Sequence, residues 1–165
     1  MGLPLEGKGV ADPVRDALAC AALEEDLATL PDGLETQIGE TGIRISGGQR
    51  QRVALARALA GCLPGFPGLL VLDDPFSAVD VETETRIIRS LLDCHGRSAP
   101  PERRATILLL SHRLAAFPLS DRVFVLKDGG IEEQGTHAEL VRAGGLYARI
   151  FLAQARAAAP RSLDP

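Results

Sequence analysis

Hydrophobic positions along this chain recur with two different periods, and the period changes where the elements change. Over residues 12–28, Val14, Leu18, Ala21, Ala22 and Leu27 fall on one side of a 3.6-residue spiral and acids on the other, which predicts an amphipathic helix. Pro31, Asp32 and Gly33 end it. Residues 47–60 return to helical spacing, with Val53, Ala54 and Ala58 facing inward and Arg50, Arg52 and Arg57 largely outward, before Gly61, Pro64, Gly65, Pro67 and Gly68 stop it. Two unbroken apolar runs follow, LLVL at 69–72 and ATILLL at 105–110, of the kind that a sheet buried on both faces requires. Residues 81–94 between them read as a crossover helix, so the order strand, helix, strand predicts a parallel α/β layer. A third strand at 122–127 meets Asp128, Gly129 and Gly130, which supply hairpin-turn chemistry before 131–134. Thr136 is placed to cap a last helix that begins HAELV, and the Ala, Arg and Pro bias from Ala153 onward predicts a helix end fraying into a tail. There is no internal repeat.

Composition narrows the partners. A chain of 165 residues with 45% hydrophobic content has enough material for the core of one domain. A formal net charge of −4, with no dense basic run and no aromatic platform, argues against nucleic acid as a partner. No apolar run reaches the length of a membrane span and the N-terminus lacks the layout of a signal peptide, so a cytosolic location is expected. Cys20, Cys62 and Cys94 are odd in number, scattered and form no CxxC, which fits buried or idle thiols in a reducing compartment better than disulfides or a metal site.

The first residues, MGLPLEGKGV, match most of the phosphate-loop pattern G-x-x-x-x-G-K-[ST] through Gly2, Gly7 and Lys8. The surrounding chemistry opposes that reading. Only Met1 precedes Gly2 where a buried strand is needed, Gly9 replaces the metal-holding hydroxyl, Glu6 would face phosphate with like charge, and Pro4 removes an amide. The stretch is therefore expected to be a frayed N-terminal loop.

The stretch TGIRISGGQRQRVALARALA, residues 41–60, is more informative. Ser46 with Gln49 three positions on is a capping-box arrangement, which by itself means only a well-started helix. Two glycines at the helix start cost roughly 1 kcal/mol each relative to alanine, a penalty that makes sense if another backbone or a phosphate approaches closely. With the helix dipole behind them, Ser46 and the first amides form a candidate anion site.

ISGGQRQRVALARAL resembles the signature motif of ATP-binding-cassette proteins, LLVLDDPFSAVD is similar to that family's Walker B strand and D-loop, and LLLSHRL resembles the strand and switch histidine that complete the set. The order and spacing of the three motifs agree with the family over nearly the whole chain. The resemblance implies an α/β fold: a partial P-loop NTPase-like ATPase domain, with a helical subdomain and signature helix over 12–60, and part of the parallel core sheet with Walker B, D-loop, switch histidine and C-terminal elements over 69–152. A disordered tail is expected over 153–165. The family's phosphate loop lies far upstream of its signature, so GLPLEGKG falls where exporters have a loop before the helical subdomain, and the chain is expected to lack the N-terminal strands and true phosphate loop. That would make it a fragment, the product of a misplaced gene start, or a decayed gene.

The resemblance also implies roles. Ser46, Gly47, Gly48 and Gln49 are expected to bind ATP held by a partner cassette. Asp73, at the end of its strand, is expected to hold Mg2+ through water. Asp74 stands where the family has the glutamate that positions or deprotonates the attacking water; the shorter side chain suggests a weak site, as in the degenerate half of heterodimeric exporters, the second reading being that Asp74 is fully active. His112 is expected to contact the γ-phosphate. Ser77, Ala78 and Asp80 match the D-loop at the dimer interface, although Asp80 equally fits a helix cap. TQIGETG, with Gly39, Glu40 and Gly42, is similar to the exporter loop that touches the transmembrane helices, Gly39 and Gly42 lending it mobility. The expected partners are a second nucleotide-binding domain, as hetero- or homodimer, and exporter transmembrane domains on the cytoplasmic side of the membrane. The function implied is ATP-driven export with ATP and Mg2+ as cofactors; the alternative is a non-catalytic fragment or remnant that cannot bind ATP alone and at most docks on another cassette.

Overall fold

The computed structural model describes residues 13–39, 41–61 and 68–158, which fall into two compact units divided between Leu110 and Ser111. The stretch GLPLEGKG with Lys8, Glu40, Cys62 with the adjoining prolines, and residues 159–165 lie outside the described residues.

In the first unit the helix expected over 12–28 is two helices, α1 (Pro13–Cys20) and α2 (Glu24–Thr29), joined by a turn in which Ala22 takes φ +53°. The break has a packing reason. Ala21, Ala22 and Leu23 are all buried, and three successive residues cannot share the single inward face of a straight helix. Helix α3 (Gly47–Ala60) forms where expected, but its inward face is Leu55, Ala56 and Leu59, while Ala54 and Ala58 are exposed and Val53 is half-buried. Apolar residues nearly encircle this helix, so the larger leucines set the buried side, and Ala56, next to Leu55, falls on it while Ala54 and Ala58 do not.

Strands β1 (Gly68–Asp73) and β2 (Ala105–Leu110) pair in parallel, in register from Gly68 with Ala105 to Asp73 with Leu110. Between them runs α4 (Val81–His95), whose buried Glu84, Ile87, Ile88 and Leu91 follow the i, i+3, i+4, i+7 spacing of one face. This is the predicted α/β unit. The expected burial of both sheet faces differs: Leu70 and Leu72 are buried, whereas Leu69 is 66% and Val71 53% exposed, and Leu108 and Leu110 are exposed on the neighbouring strand. Period-two alternation fixes which side each residue takes, and among the described residues only one side is covered. Cys20 is buried and donates to the Ser90 carbonyl at 3.3 Å; burial, reinforced by nearby Cys94, pushes its thiol pKa well up.

In the second unit β3 (Val123–Lys127) and β4 (Gly130–Gly135) form an antiparallel hairpin. Its two-residue turn is Asp128 and Gly129, at φ +51° and +80°, the two positive values that a type I′ turn demands. The helix beginning HAELV ends early, as α5 (His137–Ala143), and a separate α6 (Leu146–Ala158) continues through the residues expected to fray. Glu133 of β4 starts α6 by accepting from the amides of Leu146 and Tyr147. Val123, Leu140 and Tyr147 form the core, with Leu114, Phe117, Val125, Val141 and Phe151 against it. No helix among the described residues is long and apolar enough to cross a membrane.

Candidate functional site

The start of α3 is built from reciprocal hydrogen bonds. Ser46 Oγ accepts from the Gln49 amide at 3.1 Å and Gln49 Oε1 accepts from the Ser46 amide at 2.7 Å, closing the predicted capping box. The remaining donor of Gln49, Nε2, reaches Asp26 Oδ1 of α2 at 2.7 Å, while Arg52 donates to Asp26 Oδ2 at 2.5 Å and to the Ala22 carbonyl. Arg52, expected outward, is thus turned onto the α1–α2 corner. Burial alone would raise the Asp26 pKa, but the bonds from Gln49 and Arg52 and the charge of Arg52 outweigh it and hold Asp26 below the usual carboxylate range. The caps of α3, Ser46 and Gln49, are both neutral, and the first turn of the helix itself carries no acidic residue.

The close approach that the two glycines suggested comes from a backbone within the chain. A β-carbon at Gly48 would stand 2.6 Å from the Ala78 carbonyl oxygen, whereas one at Gly47 would meet only the Ala78 β-carbon at 3.6 Å. One turn further along α3, Gln51 donates to Ser77 Oγ at 2.5 Å and accepts from the Ala78 amide at 2.9 Å. Residues 46–51 and 77–78 therefore lie against each other. Sequence reading passed over Gln51, because its partners lie 26 and 27 positions away.

Asp73 ends β1 with its side chain exposed. Asp74 continues the ladder through its amide, which donates to the Leu110 carbonyl at 2.8 Å, yet takes φ +45°. Aspartate is among the residues that tolerate this left-handed region best, and the turn folds the Oδ1 oxygen into the interior while Asp73 stays outside. Ser77 and Ala78 are exposed, and Asp80 caps α4 by accepting from the Thr83 amide at 2.8 Å, a bond that lowers its pKa. Among the described residues no three metal-ligating side chains cluster.

Gly39 and Gly42 occupy a hydrogen-bonded turn in which the Ile43 amide donates to the Gln37 carbonyl at 2.9 Å. Gly39 is at φ +127°, and a β-carbon at Gly42 would collide with the Gln37 carbonyl, so the geometry requires both glycines. The loop's third expected residue, Glu40, is outside the described residues. Beside the turn a groove of about 150 Å3 opens between Leu23, Leu27, Leu30, Leu34, Ile38 and Val53.

His112 belongs to the second unit, where its side chain is exposed. Its backbone is held by α6: Gln154 Nε2 donates to the His112 carbonyl at 2.7 Å, and Gln154 Oε1 accepts from the Leu114 amide at 3.0 Å. Gln154 was invisible to a reading that ended the helix near Ala153.

No family model matches the chain. It is 42% identical over 144 residues to the ABC transporter ATP-binding protein YwjA of Bacillus subtilis, covering 87% of this chain and 23% of that protein. It is 43% identical over 150 residues to the ATP-dependent lipid A-core flippase of Bordetella avium, covering 91% and 24%. Its homologues are ABC exporter ATP-binding proteins. Its fold agrees with that of a bacterial Atm1-family ABC exporter solved with ATP bound: the TM-score is 0.71 at 37% identity, over 90% of this chain and 24% of that one. The chain thus spans about a quarter of the length of these ABC relatives, and its α/β fold is part of the exporter ATPase fold.

Proposed function

We propose that these residues are the signature, Walker B, D-loop and switch-histidine portion of an ABC exporter's nucleotide-binding domain, coupling ATP binding and hydrolysis to transport from the cytoplasmic side of a membrane. The observation that carries this reading is the start of α3, where Ser46, Gly47, Gly48 and Gln49 present a helix N-terminus with neutral caps and no carboxylate in its first turn. In this reading that N-terminus serves the ATP of a second cassette, as hetero- or homodimer. Asp73 would hold Mg2+ through water, and the metal's chemistry there is neutralisation of charge on the transferring phosphoryl group. Asp74 would orient or deprotonate the attacking water, and His112 would contact the γ-phosphate. Ser77, Ala78 and Asp80 would face the partner cassette, and the turn with Gly39, Glu40 and Gly42, beside its apolar groove, would engage the transmembrane domains.

We further propose that this cassette is the slow half of a heterodimer. A carboxylate one methylene shorter than glutamate, with one oxygen folded inward at φ +45°, reaches less far toward water. ATP hydrolysis by the full-length exporter carrying Asp74→Glu tests this. A rise in kcat is expected, and a fall would show that the site is already tuned to aspartate.

A further inference from the structure

We propose that Gln51 is a positioning residue that locks residues 77–80 to the signature helix, so that the two surfaces offered to a partner cassette move as one body. The proposal rests on the functional reading above and deepens it. Gln51 uses both ends of its amide on this loop, donating to Ser77 Oγ and accepting from the Ala78 amide at 2.9 Å. One turn earlier, the Ala78 carbonyl sits so close to Gly48 that any side chain there would push the loop away. The loop is therefore fixed to α3 at two points, one steric and one hydrogen-bonded. Ser77 and Ala78 are exposed, and no other described hydrogen bond holds the Ala78 amide, so without Gln51 that amide is left to water. In the proposed dimer a shift of the loop would move the signature against the partner's nucleotide, and a shift of the signature would move the loop.

The test compares two near-isosteric substitutions in the full-length exporter. Gln51→Met fills the same space and removes both hydrogen bonds. Gln51→Glu keeps an acceptor for the Ala78 amide and lets the Ser77 hydroxyl donate instead of accept. Hydrogen–deuterium exchange of the peptide spanning residues 75–80 is read together with steady-state ATP hydrolysis. With Gln51→Met, exchange of this peptide rises roughly tenfold, the factor expected for about one net hydrogen bond. At the same time kcat falls on the order of tenfold with KM for ATP little changed, since misplacement weakens the assembled state and not each nucleotide's own cradle. Gln51→Glu restores both values. Unchanged exchange with Gln51→Met would overturn the lock. Raised exchange with unchanged kcat would overturn its role in hydrolysis. A native exporter that hydrolyses no ATP would sink the functional reading and the hydrolytic role given to Gln51, while the exchange comparison would still report whether the lock exists.

Discussion

Two helices of this protein begin with the same local solution and put it to different ends. At α3 the cap is Ser46 with Gln49, and at α5 it is Thr136 with Glu139; in both, the cap hydroxyl accepts from the third residue's amide while that residue's side chain accepts from the cap amide. The second positions differ: Gly48 in α3, pressed against the Ala78 carbonyl, and Ala138 in α5, exposed. The third positions differ in charge. Glu139 places a carboxylate at the positive end of its helix, the ordinary stabilising choice, whereas Gln49 is neutral because its amide must also donate to Asp26. One start is built for stability alone. The other forgoes a favourable residue because the Ala78 carbonyl leaves no room for a side chain at Gly48, and a favourable charge because Asp26 takes the donor end of the Gln49 amide; the neutral caps that result suit the phosphate-facing role proposed for this helix.

The comparison can be broken most strongly at the second position. Gly48→Ala is expected to destabilise by about 2 kcal/mol, since the β-carbon meets backbone that must shift, whereas Ala138→Ser changes stability by only a few tenths. Denaturant midpoints measure both, and equal effects would remove the steric reason for the glycine. Next in size is charge at the third position. Gln49→Glu removes the donor that Asp26 uses and sets two carboxylates together, with an expected loss of about 1.5 kcal/mol. Removing the cap hydroxyls with Ser46→Ala or Thr136→Ala costs about 1 kcal/mol each, because the two boxes share one geometry.

The smallest effect is pH dependence. Asp26 and Glu139 both have pKa values below the usual carboxylate range, Asp26 because bonds from Gln49 and Arg52 overcome its burial, and Glu139 chiefly through its bond from the Thr136 amide. Each therefore adds stability that is present above the ordinary carboxylate pKa and lost as the pH falls through the lowered one. Between about pH 7 and about pH 3, Asp26→Asn and Glu139→Gln should each flatten the acid response of stability, read from denaturant midpoints of each variant across that range. An unchanged acid response in either variant would remove its carboxylate from the account.

Much of this was legible in sequence because it is local. The Ser46–Gln49 capping box, the Thr136 cap, the Asp-Gly turn and the apolar runs of the strands depend on neighbours a few residues apart, and spacing reports those directly. The break at Ala22 was not legible, since an alanine carries no turn signal and only the demand to bury Ala21, Ala22 and Leu23 together forces it. The inward face of α3 was misread because alanine is apolar but too small to decide burial. The order of the site motifs along the chain was plain, but their mutual support was not. Gln51 reaches across 26 residues and Gln154 across 42, and a neutral glutamine on a helix gives no pattern from which such a partner could be read.

The central claim is that this cassette's signature serves a fast ATP site on a partner while its own carboxylate serves a slow one. Gly47→Asp tests it cleanly. A β-carbon at Gly47 meets only an ordinary contact, and an acid in the first turn favours the helix, so the substitution leaves the fold intact while placing negative charge where phosphate would sit. ATP hydrolysis is to be measured in the full-length exporter carrying either Gly47→Asp or Asp74→Asn in this subunit alone. The account predicts near-complete loss with Gly47→Asp and a loss of no more than about twofold with Asp74→Asn. Loss with Asp74→Asn as deep as with Gly47→Asp would show that Asp74 is a competent base and would contradict the account.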